Sequence, residues 1–174
     1  MSLRFPFRTA RLELRPFTVQ DVPAAAAVYG DAEVMRHVGE GGAVGADEAA
    51  AMVAAYIAHQ REHGLGFWAV VDRADGTLIG DAGFEFTEHG LELGYTLRRD
   101  RWGQGLATEA ARSCLEAARE LGHREVVALV DATNPASAHV LGKLGFTEGT
   151  ADGESAGTVT SYGRPHRLFR LPLC

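Results

Sequence analysis

Residues 97–122, LRRDRWGQGLATEAARSCLEAARELG, set a basic, glycine-broken turn at the start of an amphipathic helix. That order gathers backbone N–H groups and the positive end of a helix dipole at one spot, the chemistry needed to hold a phosphate or pyrophosphate. Gly103 and Gly105 remove side chains where an anion must approach the backbone closely, and Arg98, Arg99 and Arg101 add positive charge beside the turn. Leu106, Ala110, Cys114, Leu115, Ala118 and Leu121 form one apolar stripe of the helix. Glu109, Arg112, Glu116, Arg119 and Glu120 take the other face, and Gly122 supplies the stop.

What the turn lacks narrows the ligand. A P-loop needs a Lys-Ser/Thr pair after its second glycine, where this chain has Leu106 and Ala107. A dinucleotide fingerprint fits only as G-x-G, because Thr108 stands at the third glycine, and such a turn belongs after the first strand of a domain. A strand-to-helix turn using two glycines for geometry alone has the same sequence. A second cluster follows in TNPASAHVLGKLGF (133–146): Asn134 is placed to cap a short helix, Pro135 takes its first position and Gly145 ends it. Capping alone accounts for Asn134, and Ser137 then reads as a solvated first-turn residue.

GYTLRRDRWGQGLATEA (94–110), TNPASAHVLGKLGF and the opening TARLELRPFTVQDVPA (9–24) together resemble the GNAT superfamily of acyl-CoA-dependent N-acetyltransferases. The opening is similar to its Rim-type branch, named for N-terminal acetylation of ribosomal proteins. The resemblance runs from about Arg8 to about Phe169. It implies acetyl-CoA as cosubstrate and direct transfer to a primary amine in a ternary complex. The cradle would be the backbone of Gly103, Gln104, Gly105, Leu106, Ala107 and Thr108, helped by Arg98 or Arg101, with Trp102 where the family pattern often has Gln or Arg. Thr96 and Leu97 would pair through their main chain with pantetheine, and Asn134 would hydrogen-bond that arm. Ser137 would lie near the sulfur as proton donor, with Tyr162 as a substitute.

Such a reaction needs a base for the incoming ammonium, an N–H donor for the carbonyl oxygen, and both substrates oriented in one cleft. Glu92, in LELGYTL, is the leading base, with Glu85 and Asp81 in reserve and Asp131 a candidate to orient the amine. Alternation with Leu91 and Leu93 also allows Glu92 to face solvent.

The elements that must position these groups read as β-α-α-β-β-β-α-β-α-β-β, a GNAT-like mixed central sheet of α/β class, expected as a single domain over 1–174. A strand spans 10–17 and a helix begins near Thr18. A loop at 40–46 precedes a helix over 47–63. Strands at 67–71 and 77–86 join around Asp75-Gly76, and a third covers 91–97. After the long helix come a strand at 126–130, a helix from Pro135 to Leu144, and two strands around the polar turn GTADGESAG.

Composition suits one soluble domain: 174 residues, 46% hydrophobic and 23% charged. Two cysteines make no disulfide framework, and no run reaches transmembrane length. The polar N-terminus lacks a signal-peptide pattern, so a cytoplasmic location is expected. A net charge of −6 speaks against general nucleic-acid binding. His59 and His63 have ligand-like spacing without H-E-x-x-H, and no metal is expected. The partners expected are acetyl-CoA and an amine acceptor, without nucleic acid or membrane, and with a homodimer implied by resemblance. Specificity is expected from 39–48 and 147–158. Two other readings stay open: a non-catalytic acyl-CoA-binding module and, more remotely, a nucleotide-binding domain.

Overall fold

Alternating apolar strands divided by Gly and Asp turns build a mixed sheet with helices on both faces. The computed structural model describes residues 2–149 and 158–174. A two-residue strand β1 (Phe7–Arg8) pairs with β2 (Leu12–Pro16), so the expected first strand is shorter and has a partner the sequence did not announce. Thr18 then opens a 3-10 turn, its backbone N–H donating to Asp21 Oδ2 at 2.8 Å, and Arg15 grips both oxygens of that carboxylate. Helix α1 (Val22–Tyr29) follows with Pro23 in its first turn. A short α2 (Ala32–Met35), capped by Asp31, comes before the long α3 (Ala46–His63), which ends on left-handed Gly64.

Strands β3 (Phe67–Asp72), β4 (Leu78–Thr87) and β5 (Gly90–Leu97) form the expected antiparallel meander. Helix α4 (Leu106–Glu120) crosses over to β6 (Glu125–Asp131), which lies parallel to β5. Then come α5 (Pro135–Lys143), β7 (Thr147–Glu148), β8 (Val159–Ser161) and β9 (Arg164–Pro172). The sheet order is β1-β2-β3-β4-β5-β6-β9-β7, with β8 paired to β9. Among the described residues, three strands thus stand where two were expected. The β8–β9 hairpin turns on Tyr162-Gly163, both at positive φ, and residues 150–157 of the expected polar turn lie outside the described residues.

One core joins α4 to the sheet through Leu93, Leu97, Leu106, Ala110 and Cys114. A second joins α1 and α3 to the opposite face through Phe17, Val28, Val53 and Ala69. Glycine sets the packing of β4. A Cβ on Gly83 would stand 2.0 Å from the Gly66 carbonyl oxygen. Gly83→Ala should therefore cost about 3 kcal/mol, read as a lower urea midpoint at unchanged m-value.

Candidate active site

The glycine turn ends in an uncommitted row of amides. Gly103 and Gly105 are left-handed (φ +71 and +78), and a Cβ on Gly103 would meet nothing within 4 Å. Gly105 is the N-cap of α4 and offers no side chain to it. Among the described residues, no protein acceptor takes the N–H groups of 103–108. A helix start left open in this way suits a multiply charged anion. Trp102 pins the turn to β5, its Nε1 donating to the Leu97 carbonyl at 2.8 Å.

The arginine beside this turn is not one of those expected. Arg98 bonds Asp100, and Arg101 pairs with Asp72 and Asp75 on the β3–β4 hairpin. Arg11 comes instead from the start of β2. Its Nη1 donates to the Gln104 carbonyl at 2.8 Å, and its Nη2 lies 3.5 Å from where a Gly105 Cβ would be. Glu109 holds it there, accepting from Arg11 Nε and backbone N–H, both at 2.8 Å, and from the Thr9 hydroxyl at 2.6 Å. Burial pushes the Glu109 carboxyl up, but these donors outweigh it and leave the group below its ordinary range. TARL and ATEA carry this brace in sequence, 98 residues apart, with no local signal linking them.

Beside the cradle, the sheet opens. Strands β5 and β6 pair only at Glu92–Val127, although β5 continues to Leu97 and β6 to Asp131. Arg98 N–H donates to the Ile79 carbonyl at 2.7 Å, which fixes the parity of the β4–β5 ladder. Thr96 therefore faces Asp81 with its backbone groups, while Tyr95 and Leu97 turn theirs into the gap. Thr96, expected to lend its main chain to an inserted ligand, commits it to β4 instead, and the residues with backbone groups on the gap side are Tyr95 and Leu97.

Side chains sort by the same alternation. Glu92 sits where pairing stops, on the α1–α3 face and opposite Glu85 in register. It is half-buried rather than solvated. Burial first, then the Glu85 charge, raises its carboxyl to about 7, while the Thr87 hydroxyl and the Leu129 backbone pull it back. Burial raises Glu85 as well. Phe67 covers the strand beside them, its ring 2.8 Å from where a Gly94 Cβ would be, and Tyr56 packs on Phe67. Tyr162 also answers to these charges: burial, then Glu85 and Glu92, raise its phenol. Asp81 lies deeper, fully buried against the Tyr29 hydroxyl, and burial lifts it to about 7.

On the opposite face, Asn134 caps α5 as expected, accepting from Ser137 N–H at 3.2 Å. The Ser137 hydroxyl lies 2.9 Å from the Tyr95 hydroxyl, so Tyr95, not Tyr162, is the phenol beside Ser137. Burial raises that phenol to about 12. The alternation of Tyr95 with Leu93 and Leu97 is the sequence signal that places it on this face.

Asp131 is not free to orient an amine. One oxygen accepts from Thr133 N–H at 2.9 Å and its hydroxyl at 2.7 Å, and the other lies 2.7 Å from Arg164 Nη1. Burial acts upward, but Thr133, His37 and Arg164 hold the carboxyl down at about 2. His59 is engaged with the Leu65 carbonyl and packs against His63 with the rings tilted. Among the described residues, no group of three or more His, Cys, Asp or Glu is arranged to hold a metal. No helix there is long and apolar enough to cross a membrane.

Residues 11–147 match the acetyltransferase (GNAT) domain family. The chain belongs to that family. Among curated proteins, YkkB of Bacillus subtilis is 33% identical over 95 residues, 51% of this chain and 54% of that protein. The chain thus spans about half the length of that curated relative. A GNAT-family acetyltransferase from Bordetella pertussis superposes with a TM-score of 0.79 at 25% identity, over 96% of this chain and 99% of the other. The ribosomal α-N-protein acetyltransferase RimL, solved in complex with coenzyme A, shares the fold at a TM-score of 0.76 and 18% identity, over 95% and 96% of the two chains. The mixed sheet with its mostly antiparallel strands is the GNAT fold.

Proposed function

We propose that this GNAT domain transfers the acetyl group of acetyl-CoA directly to a primary amine, with Glu92 as the general base. One observation carries the reading: the gap between β5 and β6 begins at Glu92 and runs toward the open amides of α4. The residues fit the cosubstrate on three counts. The amides of 103–108 suit a pyrophosphate, the outward edge of Tyr95 with the Leu97 N–H suits the amides of a pantetheine arm (the Leu97 carbonyl already accepts from Trp102), and Asn134 lies just past the end of β6. RimL carries coenzyme A on the same fold, which supports that assignment.

Acetyl-CoA supplies an activated thioester. The chain's own groups supply the rest. Ionised Glu92 accepts the proton that the ammonium must lose, and a carboxyl near 7 is matched to that task. Glu85 adds negative charge that draws a cationic amine to the same face. Tyr95 and Ser137 form a hydroxyl pair where a proton can be given to the departing sulfur. No covalent enzyme intermediate is required. The acceptor enters from the α1–α3 face, and the Rim-like opening favours a peptide N-terminus over a small amine. The whole reaction uses one domain.

The test is amine-dependent release of CoA thiol from acetyl-CoA, with N-terminal peptides and small amines as acceptors. Release with any primary amine supports the enzyme; acetyl-CoA binding without release to any of them favours a sensor. Tyr95→Phe should lower kcat about tenfold to a hundredfold with acetyl-CoA affinity retained, by steady-state and calorimetric measurement. Ser137→Ala should cost less, because the phenol remains.

A further inference from the structure

The segment from Asp31 to Gly41 bridges the two strand ends that flank the gap. At its start, Asp31 pairs with Arg99 at 3.2 Å, just beyond the end of β5. Farther along, His37 Nδ1 lies 3.4 Å from Asp131 Oδ2 at the end of β6. Arg164, the first residue of β9, joins the two. Its Nη1 donates to the Arg36 carbonyl at 3.0 Å, its Nη2 donates to the Gly39 carbonyl at 2.5 Å, and Nη1 lies 2.7 Å from Asp131 Oδ2. The glycine at position 41 lies against this guanidinium: a Cβ there would stand 3.5 Å from Nη1 and 3.1 Å from the Arg36 carbonyl. The other Asp131 oxygen is held by Thr133, next to the cap residue Asn134. A single guanidinium therefore ties the 31–41 segment to the end of β6 and to β9.

The knot is strained for partners. Among the described residues, His37 Nδ1, Asp131 Oδ2 and Arg164 Nε are buried without a hydrogen bond of good geometry, and all three belong to it. Buried polar atoms in this condition call for an account beyond fold stability, since apolar side chains would seal the same space at lower cost. Lys could pair with Asp131 but could not span two carbonyls as well; a planar fork with several donors can.

We infer that Arg164 is a positioning residue for acetyl transfer, holding residues 31–41 across the gap between β5 and β6 as the wall that keeps water from the thioester. The inference rests on the acetyl-CoA reading above. Water that passes the wall bonds through its oxygen to the acyl carbon as the C–S bond breaks, one of its protons going to the sulfur and the other to solvent, giving acetate and CoA thiol and wasting the cosubstrate. Arg164 touches none of the reacting atoms; it acts through the segment it holds.

The test compares the full chain with its Arg164→Met and Arg164→Lys variants by two independent readouts. Without ligand, hydrogen exchange of amides 32–44 should quicken about tenfold in the Met variant, with α4 unchanged, and less in the Lys variant. With acetyl-CoA and no acceptor, thiol release should rise severalfold in the same order while acetyl-CoA affinity holds. Unchanged exchange overturns the anchoring; faster exchange without faster thiol release overturns the role as a water barrier. A parent chain that binds no acetyl-CoA sinks the cosubstrate reading and the barrier with it, a result distinct from either. If Arg164→Met does not fold, Asp131→Asn removes the charge pair and carries the same two readouts.

Discussion

Glu92→Gln should lower kcat by about a hundredfold to a thousandfold while leaving acetyl-CoA affinity unchanged, the scale of a lost general base. The parent's rate should rise with pH through a limb centred near 7, because only the ionised carboxylate accepts the ammonium proton. The Gln variant should lack that limb. The same residue makes a stability statement of opposite sign. Its folded carboxyl lies above the ordinary value of 4.5, so between those pH values the folded chain binds more protons than the unfolded one. Stability is therefore lost as pH rises from about 4.5 toward 7, and the Gln variant should melt higher than the parent above pH 7. Lower activity joined to higher melting temperature marks a group retained for chemistry. A Gln variant equal to the parent in both respects would return Glu92 to the role of a half-buried surface carboxylate.

Gly105→Glu should weaken acetyl-CoA at least about a hundredfold, equivalent to 2.7 kcal/mol by the affinity scale. Two causes add. Gly105 sits at φ +78, where a side chain costs about 1–2 kcal/mol. The new carboxylate also lies at the amides a pyrophosphate would use, and it can cap them itself. That capping offsets part of the strain, so the variant should fold while losing the ligand. Gly105→Ala separates the causes: it carries the strain without the charge, and it should keep most of the affinity while losing stability. Calorimetric titration with acetyl-CoA and thermal melts of both variants read the two terms apart.

The parts of the site that lie close together in sequence were legible there. Gly103, Gly105 and the 3.6-residue stripe of α4 announce the cradle, and Asn134-Pro135 announces the start of α5, because caps and glycine turns are local chemistry. The gap was not legible. It arises where the pairing of two strands stops, and nothing within either strand marks that point. Thr96 and Tyr95 could not be told apart until the Arg98–Ile79 hydrogen bond fixed which residues face outward. Arg11 reaches the turn through a brace to a residue 98 positions away, while the nearer Arg98 and Arg101 are drawn off by Asp100, Asp72 and Asp75. The β8–β9 hairpin was not legible because Tyr162 turns at φ +51, a conformation expected of Gly or Asn.

Acetyl-CoA is expected to lie along the gap from the α4 amides to Glu92. The most direct measurement is a titration of the isotope-labelled chain with acetyl-CoA, following each backbone amide by NMR. Saturable shifts should be largest at Gly103–Thr108, Tyr95 and Leu97, smaller at Asn134, and absent from β1 and the N-terminal turns of α3. Saturable shifts confined to other surfaces, or none at millimolar acetyl-CoA in a folded chain, would contradict this placement.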